Sequence, residues 1–309
     1  MVKFEVNETS VKLFFQKRGY NITKIFSTRR AIVAFGKKDN KKYFLKFPKN
    51  EEISRTSKND YVWCSKLHQK SIKNKWPVYI PKIHEKGIYN NLFWFAIDYF
   101  ETKDALSDPD KKYIKSDFIK KDLNKTIDFL FILPKVRVKL LTDTDKQFYF
   151  YKCRYKKNIK PFIKWSIRYA SKQIKYNNKD VMKIIDNTKF EGVELAHTDY
   201  KPWHMFRYKG KIALIDSENT NNLTPKYYDI ASYYARIVDI LNREDIANVI
   251  IKKFYKRVPN QDKDSFMEQF RALVSWISVG ELRDATLKKT LCPGNKRIFK
   301  IIKENSFLD

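Results

Sequence analysis

The stretch that most constrains this chain is His197-Thr198-Asp199-Tyr200-Lys201-Pro202-Trp203-His204, followed by Ile215-Asp216-Ser217-Glu218. Apolar runs flank both. Val193 to Ala196 reads as a strand leading in, and Met205 to Tyr208 as a strand leading out. Lys209-Gly210 is a turn, and Ile212 to Ile215 runs back as a further strand. Asp199 and Asp216, 17 positions apart, then sit at the two ends of one hairpin. The hairpin brings both carboxylates to the same end. A lone His-x-Asp is common and says little. The whole constellation, with the hairpin and an apolar run ending in Asp-x-Glu, is far more specific.

Paired carboxylates of this kind suit phosphoryl transfer. One orients the attacking hydroxyl and accepts its proton, and the other holds the metal that neutralises phosphate charge. His-x-Asp followed by Ile-Asp-x-Glu resembles the catalytic loop and metal-binding strand of the aminoglycoside phosphotransferase and choline kinase group. The match lies at His197, Asp199, Asp216 and Glu218. The resemblance implies a two-lobed protein-kinase-like α+β fold, with a small antiparallel-sheet N-lobe and a mostly helical C-lobe. It also implies Asp199 as the base, and Asp216 with the residue at position 204 as the metal site. That residue is His204, where the family pattern has Asn. Mg²⁺ prefers oxygen and imidazole suits softer divalent ions, so Mg²⁺ or Mn²⁺ is expected beside ATP.

The chain has 309 residues, 43% of them hydrophobic and 16% aromatic, which is enough for a large packed core. No apolar run reaches membrane-spanning length. The first residues, MVKFEVNETS, lack a signal-peptide layout, so a cytoplasmic protein is expected. Cys64, Cys153 and Cys292 are far apart and odd in number, which speaks against a disulfide framework or zinc cluster and for buried thiols. The net charge of +29 invites a nucleic-acid reading. However, the basic residues are spread along the chain, Lys outnumbers Arg, and no nucleic-acid-binding motif is present. Nucleic-acid binding is therefore not expected as the main role.

Asn7 to Ser10 supplies caps for a helix over 11–17. Three strands follow, at Asn21 to Phe26, Ala31 to Phe35 and Lys42 to Phe47, with turns at Ser27-Thr28-Arg29-Arg30 and Lys38-Asp39-Asn40. The first turn has no glycine. Ser27 and Thr28 are candidate hydroxyl donors and Arg29 or Arg30 candidate phosphate partners, with a solvated basic turn as the alternative. On the third strand Phe44 and Lys46 face the same way. By the resemblance, Lys46 contacts the α- and β-phosphates and Phe44 stacks on the base. A lysine on an inward face needs an acid. Asp60, on a helix over 54–69, is the preferred partner, and Glu52 is the second choice. A hairpin over 83–89 and 92–100 turns at Asn90-Asn91. Its second strand is nearly all apolar and so central. By the resemblance the backbone near Asp98 to Phe100 reads adenine, and the nucleotide-binding lobe spans residues 1–101.

Residues 102–309 form the expected catalytic and substrate-binding lobe. Helices are expected over 117–131, 162–174 and 179–185, with strand-like segments at Val136 to Val138 and Gln147 to Tyr151. In the loop, Lys201 implies a cation that offsets the transferred phosphoryl charge. Pro202-Trp203 is expected to anchor the loop in the core, and His197 to be structural. Tyr227-Tyr228-Asp229-Ile230-Ala231 resembles the helix start of aminoglycoside kinases, with Asp229 bonding the loop backbone. Only 13 steps separate Asp216 from Asp229, too few for a protein kinase's activation loop. The expected function is transfer of the ATP γ-phosphate to a small-molecule hydroxyl. The alternative, motivated by His204 and the missing glycines, is an inactive kinase-like domain that binds nucleotide or a partner.

Overall fold

A computed structural model describes residues 6–138, 146–289 and 295–309. In chain order the elements are α1 Glu8–Gln16, β1 Asn21–Ser27, β2 Ala31–Lys38, β3 Lys41–Pro48, α2 Glu51–Lys73, β4 Val78–Tyr79, β5 Ile83–Tyr89 and β6 Leu92–Asp98. Then come β7 Ser107–Asp108, β8 Tyr113–Ile114, α3 Phe118–Lys121, α4 Leu123–Ile132, α5 Lys146–Ile174, α6 Lys179–Asn187 and β9 Val193–Ala196. The remainder is β10 Met205–Tyr208, β11 Lys211–Leu214, β12 Asn221–Pro225, α7 Tyr228–Asp239, α8 Glu244–Tyr255, α9 Lys263–Leu287 and α10 Asn295–Glu304. No helix among the described residues is long and apolar enough to cross a membrane. The chain divides into two compact units, residues 1–104 with 206–220, and residues 105–205 with 221–309.

The first unit is built on an antiparallel sheet of order β1-β2-β3-β6-β5. Two of its hairpins, β2–β3 and β5–β6, close on Asp39-Asn40 and Asn90-Asn91, all four residues with positive φ, as a two-residue turn matching strand twist requires. Strand alternation sorts the side chains. Tyr43, Leu45 and Phe47 of β3 join Leu92, Trp94 and Ala96 of β6 in one core with Val11, Phe14 and Phe15 of α1. Phe93, Phe95 and Ile97 pack on the opposite face with Phe44 and Tyr61. β6 is thus covered on both faces, which is why it reads as continuously apolar. A capping box between Asn7 and Ser10 starts α1. β10 and β11 turn through Lys209 and Gly210, both at positive φ, and β11 pairs in parallel with β4.

The second unit is mainly helical. The buried α7 packs on α8, α9 and α10, and β9 pairs with β12. The helix expected over 117–131 is two helices, broken at the buried Asp122. Gln147 to Tyr151 is helical rather than strand-like and belongs to α5, which continues through Pro161. With no breaker between Lys146 and Lys160, helix propagation outweighs the β preference of a short aromatic run. Val136 to Val138 carries no strand, since a turn of 3₁₀ helix over Leu133–Lys135 precedes an irregular segment. Cys64 is buried and unbridged. Cys292 and the side chain of Cys153 lie outside the described residues.

Candidate active site

In the first unit the site starts from α2. Ser57, Asp60, Cys64, Leu67 and Ser71 recur at three- and four-residue spacing and form its buried stripe. Asp60 is therefore carried inward, only 4% exposed, to meet Lys46. Lys46, 7% exposed, lies opposite Phe95 on β6, and its Nζ is 3.2 Å from Asp60 Oδ2 and 2.9 Å from Glu218 Oε2. Asp216 Oδ1 is 3.7 Å away. Burial alone would lower the lysine pKa. The three carboxylates overcome it and hold the ammonium well above its usual range. Asp60 spends its other oxygen on Ser217, accepting from its N–H at 3.1 Å and its hydroxyl at 2.6 Å. Glu52 is exposed at the helix start.

Glu218 was visible in the motif, yet nothing in the sequence gave it a role. It joins Lys46 to Arg30, whose guanidinium lies 2.5 Å from Oε1, and its carbonyl accepts from Asn59 at 3.1 Å. Asp216 takes a left-handed backbone, φ 63°, uncommon for a residue with a side chain. Phe44 lies opposite Phe35 across β2 and β3, with ring centroids 6.0 Å apart, and Phe26 adjoins Phe35 at 5.9 Å. This row presents aromatic surface on the face that carries Lys46.

Asp98 points to the other face, opposite Tyr43. Its carboxylate accepts from the Tyr79 hydroxyl at 2.7 Å and the Lys82 N–H at 2.7 Å, and meets His84 Nε2 at 2.8 Å. Burial pushes its pKa up, but these contacts outweigh that and keep the carboxyl below the usual range. Phe100 stacks on Phe206, centroids 5.7 Å apart.

In the second unit β9 delivers the loop. The buried Asp229, in the first turn of α7, accepts from the N–H groups of His197 at 2.7 Å and Thr198 at 2.8 Å. Burial drives its carboxyl up to about 7 against the pull of these amides. The clamp holds Thr198 at φ 63°, a strained value for a β-branched residue. Next in the chain, Asp199 Oδ1 lies 2.5 Å from Lys201 Nζ. His204 Nδ1 lies 3.2 Å from the Asp199 carbonyl and 3.4 Å from its carboxylate.

The loop's anchor in the core is Tyr200 rather than the expected Pro202-Trp203 pair alone. It is fully buried, donates its hydroxyl to the Thr126 carbonyl at 2.8 Å, and packs against Phe129 and Tyr233. Of the expected anchors Pro202 is buried, but Trp203 is half-buried, with Lys201 over its ring. Nothing local distinguishes Tyr200 from Trp203 in sequence, because the pocket that takes it is built by α4 and α7. Glu194 on β9 accepts from the N–H of Tyr227 at 2.8 Å.

No protein-family model matches the chain, and no curated protein matches it. Solved structures do. The apo crystal structure of a thermostable mutant of aminoglycoside phosphotransferase APH(4)-Ia matches 97% of this chain and 99% of its own, at 12% identity and TM-score 0.60. Its ADP and hygromycin B ternary complex gives 97% and 98% coverage, 11% identity and TM-score 0.57. The GDP and kanamycin complex of APH(2")-IIIa gives 96% and 98%, 13% and 0.56. At these identities the likeness carries the fold, and the chain has the two-lobed, protein-kinase-like α+β fold of the aminoglycoside phosphotransferases.

Proposed function

We propose that the chain is an ATP-dependent phosphotransferase acting on a hydroxyl of a small molecule. The observation that carries this reading is the Asp199 carboxylate with Lys201 at 2.5 Å, on a loop whose backbone Asp229 clamps. Asp199 orients the acceptor hydroxyl and takes its proton as the new O–P bond forms and the bond to the leaving ADP breaks. Lys201 offsets charge on the phosphoryl group in transit. Lys46, braced by Asp60, positions the α- and β-phosphates, Phe44 stacks on the base, and the backbone from Asp98 to Phe100 reads its edge. Such an array acts by positioning and electrostatics.

Asp216 and His204 are the proposed metal ligands. The donor chemistry fits a divalent ion. With Nδ1 donating towards Asp199 oxygens, the imidazole lone pair sits on Nε2, and a ligand histidine is usually oriented in this way. A nitrogen beside a carboxylate suits Mn²⁺ at least as well as Mg²⁺. A bound divalent ion would neutralise charge on the phosphates.

The test is metal-dependent turnover of ATP, and of GTP in parallel, by purified protein with a panel of hydroxyl compounds. Turnover that is lost in Asp199→Asn supports the reading. Tight nucleotide binding with no turnover under any metal would instead favour an inactive nucleotide-binding domain.

A further inference from the structure

The turn between β1 and β2 leaves little backbone for a phosphate. Where a glycine-rich turn covers phosphates, its N–H groups point at the ligand. Here Thr28 N–H donates to the Ala31 carbonyl at 2.8 Å. The N–H groups of Arg30 and Ala31 donate to the Thr28 hydroxyl oxygen at 3.3 and 2.9 Å. That hydroxyl itself donates to the Ala31 carbonyl at 2.8 Å, and the Lys49 ammonium closes on the Thr28 carbonyl. Three of the turn's amides are spent inside the turn, and so is its threonine hydroxyl.

The turn does deliver a guanidinium. Arg29 is exposed, whereas Arg30 folds back to place one nitrogen 2.5 Å from Glu218 Oε1 and another 2.8 Å from the Thr56 hydroxyl. The other oxygen of Glu218 holds Lys46. One buried carboxylate thus fixes two cations side by side, one from β3 and one from the turn between β1 and β2. Lys46 is 9% exposed at its side chain and Arg30 is 29% exposed, so the arginine is the more open of the pair. A guanidinium has five N–H donors, and two contacts leave it donors to spare for phosphate oxygens.

Resting on the phosphotransferase reading above, we propose that Arg30 is a phosphate-binding residue of the nucleotide site. Its guanidinium takes the place of the backbone amides of a glycine-rich turn, and Glu218 holds it in register with Lys46. Arg29 has no part in this.

The experiment compares binding of ATP and of adenosine to the full chain by calorimetry, in wild type, Arg29→Ala, Arg30→Ala, Arg30→Lys and Arg30→Ala/Glu218→Gln. The expected result is ATP binding 10- to 100-fold weaker in Arg30→Ala, about the loss of one charged hydrogen-bonding partner. Adenosine binding should stay within about threefold, Arg30→Lys should fall between, and Arg29→Ala should match wild type. The double variant removes the carboxylate left half-paired. Recovery of its melting temperature without recovery of ATP affinity separates phosphate contact from structural support. Equal loss of ATP and adenosine binding, or ATP binding within twofold of wild type in Arg30→Ala, would overturn the proposal. A wild-type protein that binds neither nucleotide nor adenosine would sink the phosphotransferase reading itself, which is a different result.

Discussion

The Lys46 ammonium and the Glu218 carboxylate lie 2.9 Å apart across 172 positions of sequence. With Asp60 at 3.2 Å, they make a buried charge cluster that is structural before any nucleotide arrives. Removing the ammonium leaves Glu218 with Arg30 alone and Asp60 with only the Ser217 hydrogen bonds, a partly unpaired buried charge that costs up to roughly 3 to 5 kcal/mol. Lys46→Met should therefore unfold at markedly lower urea concentration than wild type. Adding Glu218→Gln should return part of the loss. Two single variants whose effects simply add would show that the pair is not coupled.

Asp199→Asn keeps the shape of the loop and removes its base. Turnover should fall about 100-fold or more, the scale of a lost general base. Nucleotide affinity and melting temperature should change little, because Asp229, not Asp199, clamps the loop backbone. A variant turning over at the wild-type rate would remove Asp199 from the mechanism.

His204→Asn exchanges a nitrogen ligand for an oxygen ligand of similar reach. The ratio of activity with Mn²⁺ to activity with Mg²⁺ should then fall, since Mg²⁺ favours oxygen donors. The readout is the metal concentration giving half-maximal turnover, measured for both ions. An unchanged ratio would mean that the residue at 204 does not meet the ion.

The parts legible in the sequence are those with local causes. Asp60 could be found because a helical stripe forces it inward beside Cys64 and Leu67. Asp229 could be found from its motif, and the hairpin turns from their asparagines and glycine. Tyr200 and Glu218 could not be placed, because their partners are remote in sequence: Thr126 lies 74 positions from Tyr200, and Lys46 lies 172 from Glu218. The aromatic run at Gln147 to Tyr151 failed for the opposite reason. Its local preference was real, but the surrounding helix overrode it.

Glu194 predicts a pH dependence. Burial, with Asp229 adding to it, pushes its carboxyl up to about 7, against the Tyr227 amide and Lys226. Between about 4.5 and 7 the folded chain keeps a proton that the unfolded chain has released. Raising pH through that window therefore lowers stability, and above it the loss is complete. Comparing wild type with Glu194→Gln by urea unfolding from pH 5 to 8 isolates this contribution. The difference should be roughly 1 to 3 kcal/mol across the window, at about 1.4 kcal/mol per unit of pKa. Parallel profiles would mean that Glu194 does not titrate there.

The charge of the second unit predicts which acceptors work. α5 contains nine basic residues and no acidic one. The Asp186 carboxylate on α6 meets Lys164 at 2.5 Å, with Lys160 on its carbonyl and Arg168 nearby. Glu281 is paired with Arg236, Asp229 with backbone amides, and Asp199 already has Lys201 beside it. A polyamine brings several positive charges and needs unpaired carboxylates to receive them, whereas a neutral or anionic hydroxyl compound does not. Kanamycin should thus be a poorer acceptor than glucose 6-phosphate or gluconate, by tenfold or more in kcat/KM at low salt. Raising ionic strength should narrow the gap from both sides, because screening weakens repulsion of the polyamine and attraction of the anions alike. Efficient transfer to kanamycin that salt suppresses would reverse the sign and point to an acidic acceptor site.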